Sequence, residues 1–361
     1  VRILIHEWCC SGGLHAPDGI PAAADGRAAE AEAIAPEGRA MFEAVLHDAA
    51  KDRELAVSAM VDALRPLPLP DGVRPLSVPP GREIAVLVEE AARADATLVI
   101  APETDGILAR RVEAVRAAGG RALAPAAGFI AVASDKQATA HALAAAGVPV
   151  PAGRSLAAGE AWPRGFRLPA VRKARASVGC DGLLFVRDGC PPPRAANGET
   201  RLEAFVPGTP VGVSCLCGAG GVHPLPPVLQ RFSPGDPPTY LGGSLPIPPN
   251  LAARAESLAR RAIAALVRAA GTASGPAIGW VGVDMVLGDR DDGRDDRVLE
   301  VNPRLTTSFV GLSRAHRSSL VRALIDVADQ RPPTLVADHR PDDAPIHFDA
   351  AGGTRTGTQP A

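Results

Sequence analysis

Trp280-Val281-Gly282-Val283-Asp284-Met285-Val286-Leu287 and Arg297-Val298-Leu299-Glu300-Val301-Asn302-Pro303-Arg304 are two apolar, β-branched runs joined by the acidic segment 288–296. Their period-two alternation reads as a hairpin. Alternation puts Glu300 and Asn302 on one face, with Leu299 and Val301 buried on the other. Asp284 reaches the polar face from the partner strand. Two carboxylates and an amide oxygen form a hard-oxygen set, suited to Mg²⁺ (Mn²⁺ as an alternative) bridging nucleotide phosphates rather than to zinc. Arg304 follows at once, placed to hold a phosphoryl oxygen as negative charge builds in transfer. Asp291, Asp292, Asp295 and Asp296 read as solvated linker acids. The apolar strand context, the stop at Pro303 and the scarcity of Asn set Glu300 and Asn302 apart from them.

Upstream, Asp135-Lys136 opens a helix over 137–146, ended by Gly147 and followed by Val148-Pro149-Val150-Pro151. Residues 168–173 are strand-like. A loop follows at 178–182, where Gly179 and Gly182 let backbone N–H groups approach phosphate oxygens without a Cβ in the way. Residues 200–206 and 211–217 read as two antiparallel strands joined at Pro207-Gly208, and 254–270 as an amphipathic helix. Before this unit, strands at 2–5, 54–60, 96–101 and 121–124 alternate with helices at 28–52, 83–94 and 106–118. The segment 66–80 reads as a Pro-rich connection. Such alternation argues for a parallel sheet. The expected fold class is α/β, with α+β character in the second unit. The expected units are 1–130, 131–330 (divided at 205/206) and a flexible tail over 331–361, rich in Pro, Asp, Gly and Thr.

In this order the segments resemble the ATP-grasp domain. Asp135-Lys136 with Leu143 and Gly147–Pro151 resembles its entry, and Pro169-Ala170-Val171-Arg172-Lys173 with Gly179 and Gly182 its nucleotide lysine and phosphate-covering loop. Glu203-Ala204-Phe205-Val206-Pro207-Gly208 resembles the hinge strand, and Asp284, Glu300, Asn302, Pro303 and Arg304 complete the pattern over residues 130–315. The resemblance implies an N-terminal pre-ATP-grasp domain before a two-subdomain ATP-grasp fold: 131–205 the nucleotide lid, 206–330 the metal-binding part. It also implies an ADP-forming carboxylate–amine ligase using ATP and Mg²⁺, working through an acyl phosphate. Lys173 would meet the α-phosphate, Lys136 the back wall, and backbone groups of Phe205 and Val206 the adenine, while Arg304 and Lys173 serve catalysis. Glu203 would orient the nucleotide or its ribose, although the Pro-rich 188–199 segment leaves Glu199 open as the ribose contact.

The segments His6-Glu7-Trp8-Cys9-Cys10-Ser11-Gly12-Gly13 and Ala101-Pro102-Glu103 resemble the tyramine–glutamate ligase group of methanofuran-type cofactor biosynthesis. There ATP phosphorylates the γ-carboxylate of glutamate and a primary amine attacks. Glu7, Gly12, Gly13 and Glu103 fall at carboxyl ends of parallel strands, where open sheets bind ligands. Tyr240, the only tyrosine, and Gly243 are candidates for the acceptor site, and Arg231 for a substrate carboxylate. Rival readings are a non-catalytic ATP-binding sensor or assembly module, an ATP-grasp carboxylase, and a ligase for a D-amino acid or a pterin side chain. The intact Asp/Glu/Asn set argues against the first, and a missing biotin-carrier signature against the second.

Composition narrows the field. A net charge of −2 without a basic stripe excludes nucleic acid as the expected partner. No apolar run has membrane-spanning length, and Val1–Ile5 is too short for a signal-peptide core. The six cysteines include no CxxC pair or zinc spacing, which fits a reduced, cytoplasmic protein; Cys215 and Cys217 read as core. Small-molecule acid and amine partners are expected, with a homodimer as the candidate assembly. The chain holds 35 Arg but only three Lys, and two of these, Lys136 and Lys173, fall on the lysine positions of the resemblance. Lys is a compact ammonium where Arg is a wide planar fork.

Overall fold

The computed structural model describes residues 1–15, 27–176, 183–189, 195–234, 238–271, 276–338 and 343–357, with the backbone alone over 27–31. Four parallel strands, β1 (Arg2–Glu7), β2 (Ala56–Asp62), β3 (Arg74–Val78) and β4 (Ala96–Ile100), form the first sheet in the order β3-β2-β1-β4. Helices α1 (Arg27–Ala49), α2 (Glu83–Ala91) and α3 (Ile107–Ala117) connect and cover them. Ile3, Leu4 and Ile5 are all buried, as a parallel strand covered on both faces requires. The α1 residues Met41, Phe42, Val45 and Leu46, recognised by their helical spacing, are buried as well. The segment 66–80 is not only a connection, because it contains β3, and 121–124 contributes only an isolated bridge, Thr97 to Ala122. Glu83 at the first turn of α2 meets His6 Nε2 at 2.6 Å and Arg111 Nη2 at 2.8 Å, all three buried. Burial alone would raise the Glu83 carboxyl, but hydrogen bonds and charge from His6 and Arg111 outweigh it and hold it at about 2.

Two helices, α4 (Ala127–Ala133) and α5 (Lys136–Ala145), lead to a small antiparallel sheet. It comprises β5 (Gly153–Leu156), β6 (Ala170–Ala174), β7 (Leu184–Val186) and β8 (Thr200–Ala204), in the order β5-β8-β6-β7. A larger sheet follows, from β9 (Thr209–Gly218), β10 (Gly221–Pro224), β11 (Val228–Phe232), β12 (Tyr240–Leu245), β13 (Gly279–Leu287), β14 (Arg297–Asn302), β15 (Ile346–Asp349) and β16 (Thr354–Thr356). Its order is β14-β13-β9-β11-β12-β15-β16, with β10 against β9. Helices α6 (Pro249–Ala269), α7 (Ser308–Arg314) and α8 (Leu320–Ala328) pack against it. Among the described residues no helix is long and apolar enough to cross a membrane.

Four further expectations are corrected. The strands near 200–206 and 211–217 do not pair: β8 lies between β5 and β6, and β9 between β13 and β11. Residues 205–208 carry the chain from one sheet to the other. Gly208 makes that passage at φ +143°, where a Cβ would meet the Leu287 carbonyl at 2.4 Å. The β13–β14 hairpin forms, but a bulge pairs Asp284 with Glu300 and Met285 with Val298, which leaves Leu299 unpaired and facing the cavity described below. Asp296 is not solvated: it is buried, accepts the Gly288 amide at 3.0 Å and pairs with Arg254. The segment from 331 is not a flexible tail throughout. β15 and β16 extend the large sheet, with Ile346 and Phe348 buried, because these two apolar residues alternate within an otherwise polar stretch.

Candidate active site

Asp135 caps α5, its carboxylate accepting the Gln137 and Ala138 amides at 2.9 and 3.0 Å. The cap fixes the first turn and buries the Lys136 side chain, whose Nζ lies 3.2 Å from Glu300 Oε2 on β14. On the small sheet, Lys173 of β6 reaches Glu203 Oε2 of β8 at 2.7 Å. Arg201 Nε takes the other oxygen of Glu203 at 2.7 Å and its Nη1 reaches Gln137, which ties the sheet to α5. Across β13 and β14 the Asp284 and Glu300 positions are register partners. Gln230 Nε2 and Asn302 Nδ2 donate to the two oxygens of Asp284 at 2.7 and 2.8 Å. Arg304 Nε donates to Glu103 Oε2 at 2.9 Å, an ion pair between the ATP-grasp-like unit and the N-terminal sheet.

These groups surround one cavity of about 660 Å³ between the small and large sheets. Lys136, Lys173, Glu203, Phe205, Val206, Tyr240, Asp284, Glu300, Asn302 and Arg304 all line it. The electrostatics divide within it. Burial first, and the neighbouring Glu300 next, push the Asp284 carboxyl up to about 7. Burial acts the same way on Glu300, but the charges of Lys136 and Lys173, the Lys136 hydrogen bond and Arg304 outweigh it and hold that carboxyl below its ordinary range. Burial pulls the Lys136 ammonium down, yet Glu300, with Glu103 and Glu203 behind it, leaves its net shift upward. Thus Lys136 and Glu300 sit as a charged pair, while burial and the Glu300 charge make Asp284 hold its proton more readily than an ordinary carboxyl.

Other expected residues lie elsewhere. Gly179 and Gly182 fall outside the described residues. Arg231 does not line the cavity: Val228, Gln230 and Phe232 do, so alternation along β11 turns Arg231 to the opposite face. Gly243 serves packing, since a Cβ there would meet the Leu229 carbonyl at 2.4 Å and the Phe348 ring. Gly12 and Gly13 lie against Val78 and Trp8, away from the cavity lining. Of the two ribose candidates, Glu203 lines the cavity, whereas Glu199 is exposed and pairs with Arg175. The Phe205 amide donates to the Pro169 carbonyl at 2.9 Å, so it is not available to read a base. Sequence reasoning passed over Gln230, Phe185, Glu37, Thr306 and Thr307, all in the cavity wall. Alternation along β11 was a signal for Gln230. No local pattern marks Glu37, which accepts a hydrogen bond from the Thr307 hydroxyl across 270 positions of sequence.

This geometry matches a recognised class. Residues 133–308 match the family model described as ATP-grasp domain, and residues 55–128 the model described as pre ATP-grasp 3 domain. The chain is therefore built of ATP-grasp superfamily domains, a parallel-sheet pre-ATP-grasp domain followed by an ATP-grasp domain. Among solved structures, it is similar to an ATP-grasp superfamily protein from Archaeoglobus fulgidus (22% identity, TM-score 0.65, covering 97% of this chain and 92% of that one). It is also similar to N5-carboxyaminoimidazole ribonucleotide synthetase from Thermotoga maritima (19%, 0.61, 96% and 79%). L-amino acid ligase from Bacillus licheniformis shares the fold too (14%, 0.62, 96% and 79%). No curated protein sequence matches the chain.

Proposed function

We propose that this protein is an ATP-dependent, ADP-forming carboxylate–amine ligase that works through an acyl phosphate. The observation that carries this reading is the convergence of half-buried Asp284 and Glu300, register partners on β13 and β14, with Lys136, Lys173 and Arg304 in one cavity. A carboxylate oxygen of the acid attacks the γ-phosphorus of ATP, and its new O–P bond forms as the bond to ADP breaks. The amine lone pair then attacks the acyl carbon, the C–O bond to phosphate breaks, and the nitrogen loses a proton. Such transfers need positioning and charge stabilisation more than covalent help. Lys173 and Lys136 would offset nucleotide phosphate charge, Glu203 would orient the ribose, and Val206 would present backbone to adenine beside Phe205. Arg304, held by Glu103, would face the transferring phosphoryl group and the acyl phosphate.

A divalent cation suits the donor set. Among the described residues no three His, Cys, Asp or Glu side chains converge as a cage. Asp284, Glu300 and Asn302 instead offer the few hard oxygens that Mg²⁺ takes beside substrate phosphates. A bound cation would offset the burial and the Glu300 charge that push Asp284 up to about 7, and would favour its ionised form. Mg²⁺, or Mn²⁺ in its place, would supply neutralisation of the phosphate oxygens.

The finer form of this reading joins glutamate to a primary amine in methanofuran-like cofactor biosynthesis. It is supported by Glu7 and Glu103 at the strand ends next to Arg304. ADP release with Mg-ATP and glutamate, across amines including tyramine and tyrosine, tests both levels. Amine-dependent ADP release with a matching amide by mass spectrometry is expected. ATP binding without ADP formation for any acid–amine pair would overturn the ligase.

A further inference from the structure

Glu37 and Arg304 line the reaction cavity and also a smaller chamber of about 30 Å³. Glu7, Gly38, Met41 and Pro102 contribute to its wall. That volume admits about one water-sized group. Glu7 is only 3% exposed; the Cys10 amide donates to its Oε2 at 2.8 Å, and no cationic side chain among the described residues pairs with it. Glu37 accepts the Thr307 hydroxyl and likewise has no ion-pair partner among the described residues. Arg304, the one cation in the chamber wall among them, is committed through Nε to Glu103, whose Oε1 is buried with no hydrogen-bond partner. Three carboxylates therefore stand at this junction with one guanidinium. Burial pushes the Glu7 carboxyl up, outweighing the opposing hydrogen bonds from Cys10 and Cys9 and the charge of neighbouring His6. Gly38 permits the close approach of α1, since a Cβ there would meet Glu7 Oε1 at 2.5 Å.

We propose that this chamber is a subsite for a primary ammonium group of a substrate, held between Glu7 and Glu37 beside Arg304. An ammonium matches the chamber in size, donates hydrogen bonds to both carboxylates and supplies the missing positive charge. Which substrate bears it rests on the ligase reading: the amino acid being activated, or the attacking amine.

The test is a ligand-observed NMR titration of methylammonium into the full chain, its Glu7→Gln and Glu37→Gln variants, with tetramethylammonium as a size control. Mg-ATP binding is measured on the same wild-type sample. Methylammonium is expected to bind the wild type and to bind either variant about tenfold more weakly or worse, with no binding of tetramethylammonium. Absence of methylammonium binding, or equal binding by all three proteins, would overturn the subsite. If Glu7→Gln fails to fold, Glu37→Gln decides, because glutamine still accepts the Thr307 hydroxyl. Tighter binding of glycine than of methylammonium would assign the group to the activated amino acid. Methylammonium-dependent ADP release with glutamate would assign it to the attacking amine. ATP binding without methylammonium binding removes this inference and leaves the ligase standing; the reverse removes the ligase and keeps the subsite.

Discussion

Each of the three lysines in this arginine-rich chain ends at a specific partner: Lys136 at Glu300, Lys173 at Glu203, Lys51 at Asp48 and the His316 carbonyl. At Glu203 the wide fork of Arg201 already occupies one carboxylate oxygen, and the compact ammonium of Lys173 takes the other. Glu300 serves both the charged pair with Lys136 and the candidate cation site. Glu300→Gln should lower ADP formation by about 10³-fold or more, read by coupled assay, with the far-ultraviolet circular dichroism unchanged. Normal turnover in that variant would remove the metal assignment. Glu83 makes a different prediction, about stability. Its folded value of about 2 lies below the unfolded 4.5, so its stabilisation is full above pH 4.5 and is lost as pH falls toward 2. Glu83→Gln should cost about 3–5 kcal/mol near neutrality, because it breaks the buried ion pair that the Glu83 carboxylate makes with Arg111. Urea unfolding followed between pH 6 and 3 should also show a flatter acid decline than in the wild type.

At the scale of elements, the hairpin that carries the candidate metal ligands was legible because its polar and apolar positions alternate over two long runs. Its bulge was not legible, and it is the bulge that turns Leu299 toward the cavity beside Glu300. The pairing expected between β8 and β9 fails for a related reason. Two strand-like runs separated by a Pro-Gly turn look like a hairpin locally, and only their partners in different sheets show otherwise. The C-terminal strands carry a direct test. Phe348 on β15 is 1% exposed and packs on Gly311 and Gly243, so Phe348→Ala should cost about 3–5 kcal/mol in chemical unfolding. A loss below about 0.5 kcal/mol, typical of surface positions, would show that the segment is dispensable after all.

For the whole molecule, the N-terminal unit and the large-sheet unit are joined by contacts between residues more than two hundred positions apart. Lys51 at the end of α1 donates to the His316 carbonyl at 2.9 Å, while Asp48 accepts the Val321 amide at the start of α8 at 2.9 Å and the Ser319 hydroxyl at 3.0 Å. Lys51→Ala should destabilise by about 3 kcal/mol, since Asp48 is buried and loses its cation. Differential scanning calorimetry should then show separated unfolding of the two units; a single unshifted transition would argue that the latch carries no coupling. By itself the sequence determined the parallel-sheet unit, the capped helix at Asp135-Lys136 and the polar face of Asp284, Glu300 and Asn302. These depend on hydrophobic period, on turn chemistry and on residues close along the chain. Only the tertiary structure decided which of the two alternating faces of β11 meets the site, that Glu103 holds Arg304, and that Glu37 meets Thr307. Those contacts join segments with no shared local pattern, and they exist only once two sheets and α1 have packed around a common cavity.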